Sequence, residues 1–244
     1  MKTVRRRYEA AGHWSSNIRG GALKQAKSPK EFVFHRREPE IRGEMIAAVN
    51  VEALFGRDVV SISDSLIEGV PLENRTIDSL FMEGSVVERV NLSNSVFGSI
   101  KLADVRLVNC DLGNLEARAM SLVRVEFINC RMTGFRAGKL ECQDVLISEG
   151  DQRYSQFRFS LFKSSEFESC NFEDADFYGA DLSGARFRRC NLRNAEMSKS
   201  TLVDADLRGS VVDGMQLNAE DIKGAVVDAS QAMLFAPLLG IRIA

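Results

Sequence analysis

Histidine is nearly absent from this chain: only His13 and His35 occur among 244 residues. Both stand in the N-terminal segment, and neither lies at metal-ligand spacing from a cysteine pair. No GxGxxG, GxxxxGK[ST] or HExxH motif is present, which removes the common signatures for dinucleotides, phosphates and zinc proteases. No catalytic, cofactor-binding or metal-binding residue is therefore expected, and the chain is read as no enzyme. No apolar run reaches eighteen residues, so no membrane span is expected. The first twenty residues carry Arg5, Arg6 and Arg7 but no apolar core, so a secretory leader is not expected and a cytoplasmic location is.

Long stretches with a helical or strand period are missing too. From Cys170 onward the chain instead repeats every five residues: CNFED, ADFYG, ADLSG, ARFRR, CNLRN, AEMSK, STLVD, ADLRG. Neither 3.6 nor 2 explains a period of five. The frame extends back to Val60 without an insertion, giving 34 central positions from Ile62 to Val227, of which only Gln152 is polar. Two residues after the centre, 23 of the 34 positions are Gly, Asn, Asp or Ser, the residues that tolerate tight turns. One large apolar side chain per short extended piece, then a corner, describes a backbone that coils.

The run resembles the pentapeptide-repeat family, whose pattern is A(D/N)LXX; Ala180–Gly184, Ala205–Gly209 and Ala175–Gly179 match it fully. The resemblance implies an all-β solenoid, a right-handed quadrilateral β-helix in which four pentapeptides make one turn and residues twenty apart stack. About eight to nine coils at roughly 4.8 Å each give a column on the order of 40 Å long. Stacking can be checked within the sequence. Every fourth first-place residue gives Cys110, Cys130, Gly150, Cys170 and Cys190, and where the centre shrinks to Ala117, Ala137 or Cys142 the first place grows to Leu115, Phe135 or Leu140. Close packing demands such an exchange of volume. The five cysteines, with Cys142, are read as reduced inward-facing fillers.

Four segments follow. Residues 1–30 form a basic arm, with eight Lys or Arg against Glu9 alone, expected to be flexible and the one place where nucleic acid could bind by charge. Residues 31–59 form an N-terminal capping coil, with a short strand at 31–35 and a phase slip near Phe55-Gly56-Arg57. Residues 60–229 are the β-helix, wider or less regular before Ser148 than after Ser155. Residues 230–244 form a short C-terminal helical segment with Ser230 as N-cap and Gly240 as stop, Pro237 limiting its length. It plugs the last coil or joins two columns; related family members pair there, so a homodimer through Met233, Leu234, Phe235, Leu238 and Leu239 is expected. Within the β-helix, Ser148–Tyr154 is the weakest turn, a place for a bulge, hinge or notch, or a wet corner with Gln152 bonded to backbone.

Summed by face, the charge is uneven. The face containing 60–64, 80–84 and every twentieth successor carries nine acids and four bases. Its Asp64, Glu83, Asp104, Glu141, Asp144, Asp181, Asp204 and Asp221 form the candidate acidic binding face. The face built on 75–79 is the one positive face, with Arg75, Arg118, Arg136, Lys139, Arg158 and Lys199. Second-place acids such as Asp176 are read as solvated. The expected function is a non-enzymatic binding or scaffold protein presenting flat charged faces to a protein partner. The resemblance implies an alternative, a DNA mimic that occupies a type II topoisomerase such as DNA gyrase and protects it from quinolones or toxins. Roughly 40 Å of duplex carries about 24 charges, against a net −8 over residues 60–229.

Overall fold

The computed structural model describes residues 34–41, 46–47 and 51–243. The chain divides into a unit spanning Met1–Phe32, outside the described residues, and the unit Val33–Ala244. The second unit is a parallel β-solenoid. Ser61, Phe81, Lys101, Ser121, Glu141, Leu161, Asp181 and Thr201 pair in succession, every step parallel and twenty residues long. The stacking period inferred from the sequence is the register of the sheet.

The corners explain the repeat. Among the described residues, twenty other than glycine adopt a left-handed backbone, all at the fifth place of the pentad, from Asp64 at φ 47° to Asp204 at φ 58°. Asn and Asp reach this region at small cost, which is why they dominate there. One column departs from the rule. Ser79, Ser99, Ala119 and Lys139 are not left-handed, and the strands Val96–Val108 and Glu116–Ile128 run through that corner unbroken. At Phe159 (φ 54°), Gly179 and Lys199 the same corner is left-handed. The switch coincides with the following residue changing from Leu80, Ile100, Met120 and Leu140 to Ser160, Ala180 and Ser200, so the half before Ser148 has the broader corner and the half after it the tight one.

Inside, the centres form one dry core, with Phe172 and Leu192 fully buried. The early coils pack aliphatic side chains and leave an apolar cavity of about 30 Å³ among Leu72, Leu92, Phe97 and Leu112. The later coils are filled by phenylalanines, with Phe157 stacked on Phe177 at 5.1 Å and Phe167 on Phe187 at 4.6 Å. First-place residues do more than fill space. The Cys110, Cys130, Cys170 and Cys190 thiols donate to the carbonyls of Val87, Leu107, Ile147 and Phe167, each 23 residues earlier. Ser155 and Ser210 hydroxyls do the same to Met132 and Phe187. All five cysteines are free and buried. Burial pushes the Cys142 thiol well above its ordinary range, and the contact with Cys110 together with burial does so for Cys130, so these are packing groups and not nucleophiles.

Ser148–Tyr154 does not open the ladder. Gln152 N–H donates to Asn171 O at 2.8 Å, matching Met132 to Asp151 and Phe172 to Asn191 at 2.7 Å on either side. Gln152 is fully buried, and neither its Oε1 nor its Nε2 is bonded to backbone or to any other group among the described residues. The amide occupies the place of the missing cysteine, since a Cβ built on Gly150 would lie 2.0 Å from Gln152 Nε2. Filling the gap takes precedence over pairing the amide. Gln152→Leu, which removes an unpaired buried amide, is expected to stabilise the protein by about 1–3 kcal/mol in urea unfolding. Gly150→Cys alone should destabilise it, and the double substitution should recover more than the sum. A less stable Gln152→Leu protein would contradict this account.

Both ends differ from the sequence reading. Ile46–Ala47 pairs with Ser65–Leu66 at an offset of nineteen, so the register slips here, but one residue short of twenty and not one residue long as the step from Val51 to Ile62 implied. A short helix, Val51–Leu54, then follows, and Val51 and Phe55 close the first coil. The strand expected at 31–35 is not found where it can be seen: 31–33 lie outside the described residues, and Phe34 and His35 belong to no strand. At the other end Asp228, not Ser230, caps the helix Ala229–Phe235. Gln231 N–H donates to Asp228 Oδ1 and Asp228 N–H to Gln231 Oε1, both at 3.0 Å. A carboxylate at that end also meets the positive pole of the helix, and hydrogen bonds from Ser230, Gln231 and Gly209 hold its pKa at about 2. Gln231 Nε2 donates to Leu207 O and Ser210 O at 2.7 Å, and Phe235 is buried against the core, so this segment plugs the last coil. Pro237 falls in the following 3-10 turn Ala236–Leu239, which ends at left-handed Gly240.

Candidate binding faces

The acidic face is less acidic than its sum. Asp104 is buried; Arg124 Nε donates to its Oδ1 at 2.6 Å and Arg124 Nη2 to its Oδ2 at 2.5 Å. These bonds hold the carboxyl below its usual range. Asp144 is also buried and accepts from Arg37 Nε at 2.9 Å and Arg37 N–H at 3.3 Å. Asp64 and Asp221 are half-buried, the latter accepting from Asn218 N–H at 2.8 Å. Glu83, Glu141, Asp181 and Asp204 remain exposed, with Lys101 and Lys163 on the same face. The eight predicted residues therefore split into two ion-paired, two half-buried and four exposed groups, not one row of free acid.

Arg124 belongs to the acidic face itself, but Arg37, which neutralises Asp144, comes from a segment that sequence reasoning assigned to the cap. Residues 34–41 have no regular secondary structure and run along the coils. Phe34 lies 4.2 Å beneath the Arg186 guanidinium, Arg36 meets Glu126 at 3.0 Å, Arg37 meets Asp144, and Glu40 N–H donates to Asp104 at 2.9 Å. Glu126 is buried and also accepts from Arg106 at 2.7 Å. The segment acts as a strap across several coils, and no periodicity marks it in the sequence.

Second-place acids also turn out to be structural. Asp176 and Asp181 accept from the N–H two residues on, of Tyr178 and Ser183, at 2.9 and 3.0 Å, and Asp111, Asp151 and Asp206 repeat the contact. Such Asx turns hold each corner. Asn pairs 94–114, 109–129 and 171–191 link successive coils at 2.7–3.1 Å. The recurring Asp or Asn before each centre and the small residue after it are thus two ends of one corner device.

Residues 155–209 match the family of pentapeptide repeats, with eight copies. That stretch of the chain carries pentapeptide repeats. Among solved structures, QnrB1, a plasmid-mediated fluoroquinolone resistance protein, is 19% identical in a trypsin-treated form, covering 75% of this chain and 91% of that one at a TM-score of 0.47. HetL, a pentapeptide-repeat protein involved in heterocyst differentiation regulation in the cyanobacterium Nostoc sp. strain PCC 7120, is 14% identical over 74% of this chain and 94% of its own, at a TM-score of 0.29. No curated protein is similar in sequence.

The predicted dimer residues divide. Met233, Leu234, Leu238 and Leu239 are exposed, Leu239 to 61%, and Ile241 and Ile243 join them, whereas Phe235 serves the core. The basic arm, 1–30, lies outside the described residues. Among the described residues no helix is long and apolar enough to cross a membrane, and no cluster of metal-ligating side chains occurs.

Proposed function

We propose that the chain is a non-enzymatic binding or scaffold protein of the cytoplasm, presenting flat charged faces of its β-helix to a protein partner and pairing with a second copy through its C-terminal segment. The observation that carries the reading is the ladder itself. An uninterrupted twenty-residue register holds outward side chains in rows about 4.8 Å apart on rigid backbone, so a partner meets a preformed surface and loses little entropy in ordering it. The exposed Met233, Leu234, Leu238, Leu239, Ile241 and Ile243 at the column's end form an apolar patch of the kind that marks an interface. Light scattering is expected to give twice the chain mass, and Leu234→Glu with Leu239→Glu to return it to one; a monomeric parent protein would remove the pairing.

Partner recognition is tested by reversing one face at a time, Glu141, Asp181 and Asp204 to Lys or Arg118 and Arg158 to Glu, and measuring recovery of the co-purifying protein from the native cell. Recovery should fall with one face and not the other; indifference to both sinks the reading. The mimicry alternative is separated by DNA supercoiling with purified gyrase. The buried pairing of Asp104 and Asp144 leads us to expect no effect, with or without a fluoroquinolone. Inhibition abolished by the Lys reversals would favour mimicry.

A further inference from the structure

The one positive face carries a feature that its charge sum does not reveal. Along it the residues just after the centres are Arg118, Gly138, Arg158 and Tyr178, stacked at twenty-residue steps. Gly138 has a local cause: a Cβ there would lie 2.7 Å from Arg118 O, because the coils approach closely around the small centres Ala117 and Ala137. The consequence is a stretch of bare backbone between two arginines two coils apart, about 10 Å at the usual strand spacing. Arg136 and Gln156 stand beside it, and together with Phe159 these residues line a groove of about 450 Å³. Phe159 is 70% exposed and left-handed, a costly place for an aromatic ring. Its ring lies edge-on to Tyr178 at 5.6 Å, and Tyr178 is flanked by Arg158 at 4.7 Å and Lys199 at 5.2 Å. Acids are few and loosely paired here: Glu116 stands 3.5 Å from Arg136 and Asp176 3.5 Å from Arg158, while Arg118 has no ion pair among the described residues.

We propose that this groove binds a short acidic segment of a partner protein, its carboxylates held by Arg118, Arg136 and Arg158 and a neighbouring apolar side chain resting on Phe159. Guanidinium forks suit carboxylates in bidentate geometry, and the bare backbone at Gly138 gives an extended chain a floor. Size and charge favour a peptide over nucleic acid. A polyanion long enough to leave the groove would meet the three other faces, each net negative, whereas a segment of a few residues meets three arginines against Glu116 and Asp176.

The inference rests on the partner-binding reading, and the two fail differently: a partner indifferent to the arginine reversals but sensitive to another face sinks only this site. The test pans a random peptide library on phage against the full chain, with Arg118→Glu/Arg158→Glu as counter-selection. Enriched peptides should be acidic with an apolar residue. A fluorescent copy should bind the double variant at least about tenfold more weakly, and Phe159→Asn severalfold more weakly with unchanged thermal melting. Arg118→Gln/Arg158→Gln provides the same reading should the reversal fail to fold. No enrichment, neutral or basic consensus peptides, unchanged binding by both double variants, or tighter binding of a single-stranded oligothymidylate through the same arginines would each overturn the proposal.

Discussion

Phe177→Ala is expected to lower the free energy of unfolding by about 3–5 kcal/mol, the largest loss from any single truncation in the column. Phe177 is fully buried, and its ring centroid lies 5.1 Å from Phe157, 5.4 Å from Phe172, 6.1 Å from Phe162 and 6.3 Å from Phe187. It thus touches aromatic side chains of its own coil and of the coils on both sides. Truncation removes stacking on Phe157 and edge contacts with Phe172 and Phe187 in addition to buried area. The backbone cannot collapse into the space, because each coil is fixed to the next by ladder bonds such as Phe177 N–H to Glu196 O at 2.7 Å. In a solenoid, where stability is a sum over neighbours, a weak level also uncouples the coils beyond it. Leu112→Ala, beside the existing void in the aliphatic half, should cost about 2–3 kcal/mol, the low end for such a change. Urea unfolding followed by circular dichroism decides it; a loss below about 2 kcal/mol at Phe177, or a larger one at Leu112, contradicts this account of the core.

How far the sequence led depends on whether an interaction recurs. Stacking of Cys170 on Cys190, burial of Phe172 and Leu192 and the left-handed corners at Asn94, Asn114 and Asn194 were all legible, because each is imposed once per coil and leaves a period of five or twenty. The two corner types could be read from one column, where Leu140 gives way to Ser160. Unique contacts left no such trace. Nothing periodic ties Arg36 to Glu126 or Arg37 to Asp144, which lie 90 and 107 residues apart. Counting charge by face therefore treated Asp144 as free when it is a buried partner, whereas the Arg124–Asp104 pair, twenty residues apart on one face, did fall within the count. Ser230 and Asp228 are both acceptable N-caps by residue type, and only the reciprocal bond with Gln231 distinguishes them. The groove on the positive face was half legible: its sign followed from counting, but its depth depends on Gly138 and on how close the coils approach there.

Glu126→Ala is expected to release the strap while leaving the column folded. Arg36 and Glu126 side chains are 10% and 6% exposed, and Arg106, the second cation on Glu126, is 37% exposed. Removing one member of a buried pair strands the other charge at a cost of about 3–5 kcal/mol. Arg106 recovers water where it stands. Arg36 recovers it only by leaving, and residues 34–41, lacking ladder bonds of their own, can leave without breaking the register of the coils. The cost then appears as local opening and not as global unfolding. Trypsin is the direct probe, since Arg36 and Arg37 both lie in the strap. Cleavage there should accelerate at least about tenfold in Glu126→Ala, less in Glu126→Gln, which keeps an acceptor for Arg36, and not at all in Lys101→Ala on the exposed surface. Thermal melting of the β-helix should shift little in all three. Equal cleavage rates in the Glu126→Ala and parent proteins would mean that the Arg37–Asp144 and Glu40–Asp104 contacts hold the strap unaided; a collapse of the whole melting transition would mean that Glu126 supports the coil and not the strap.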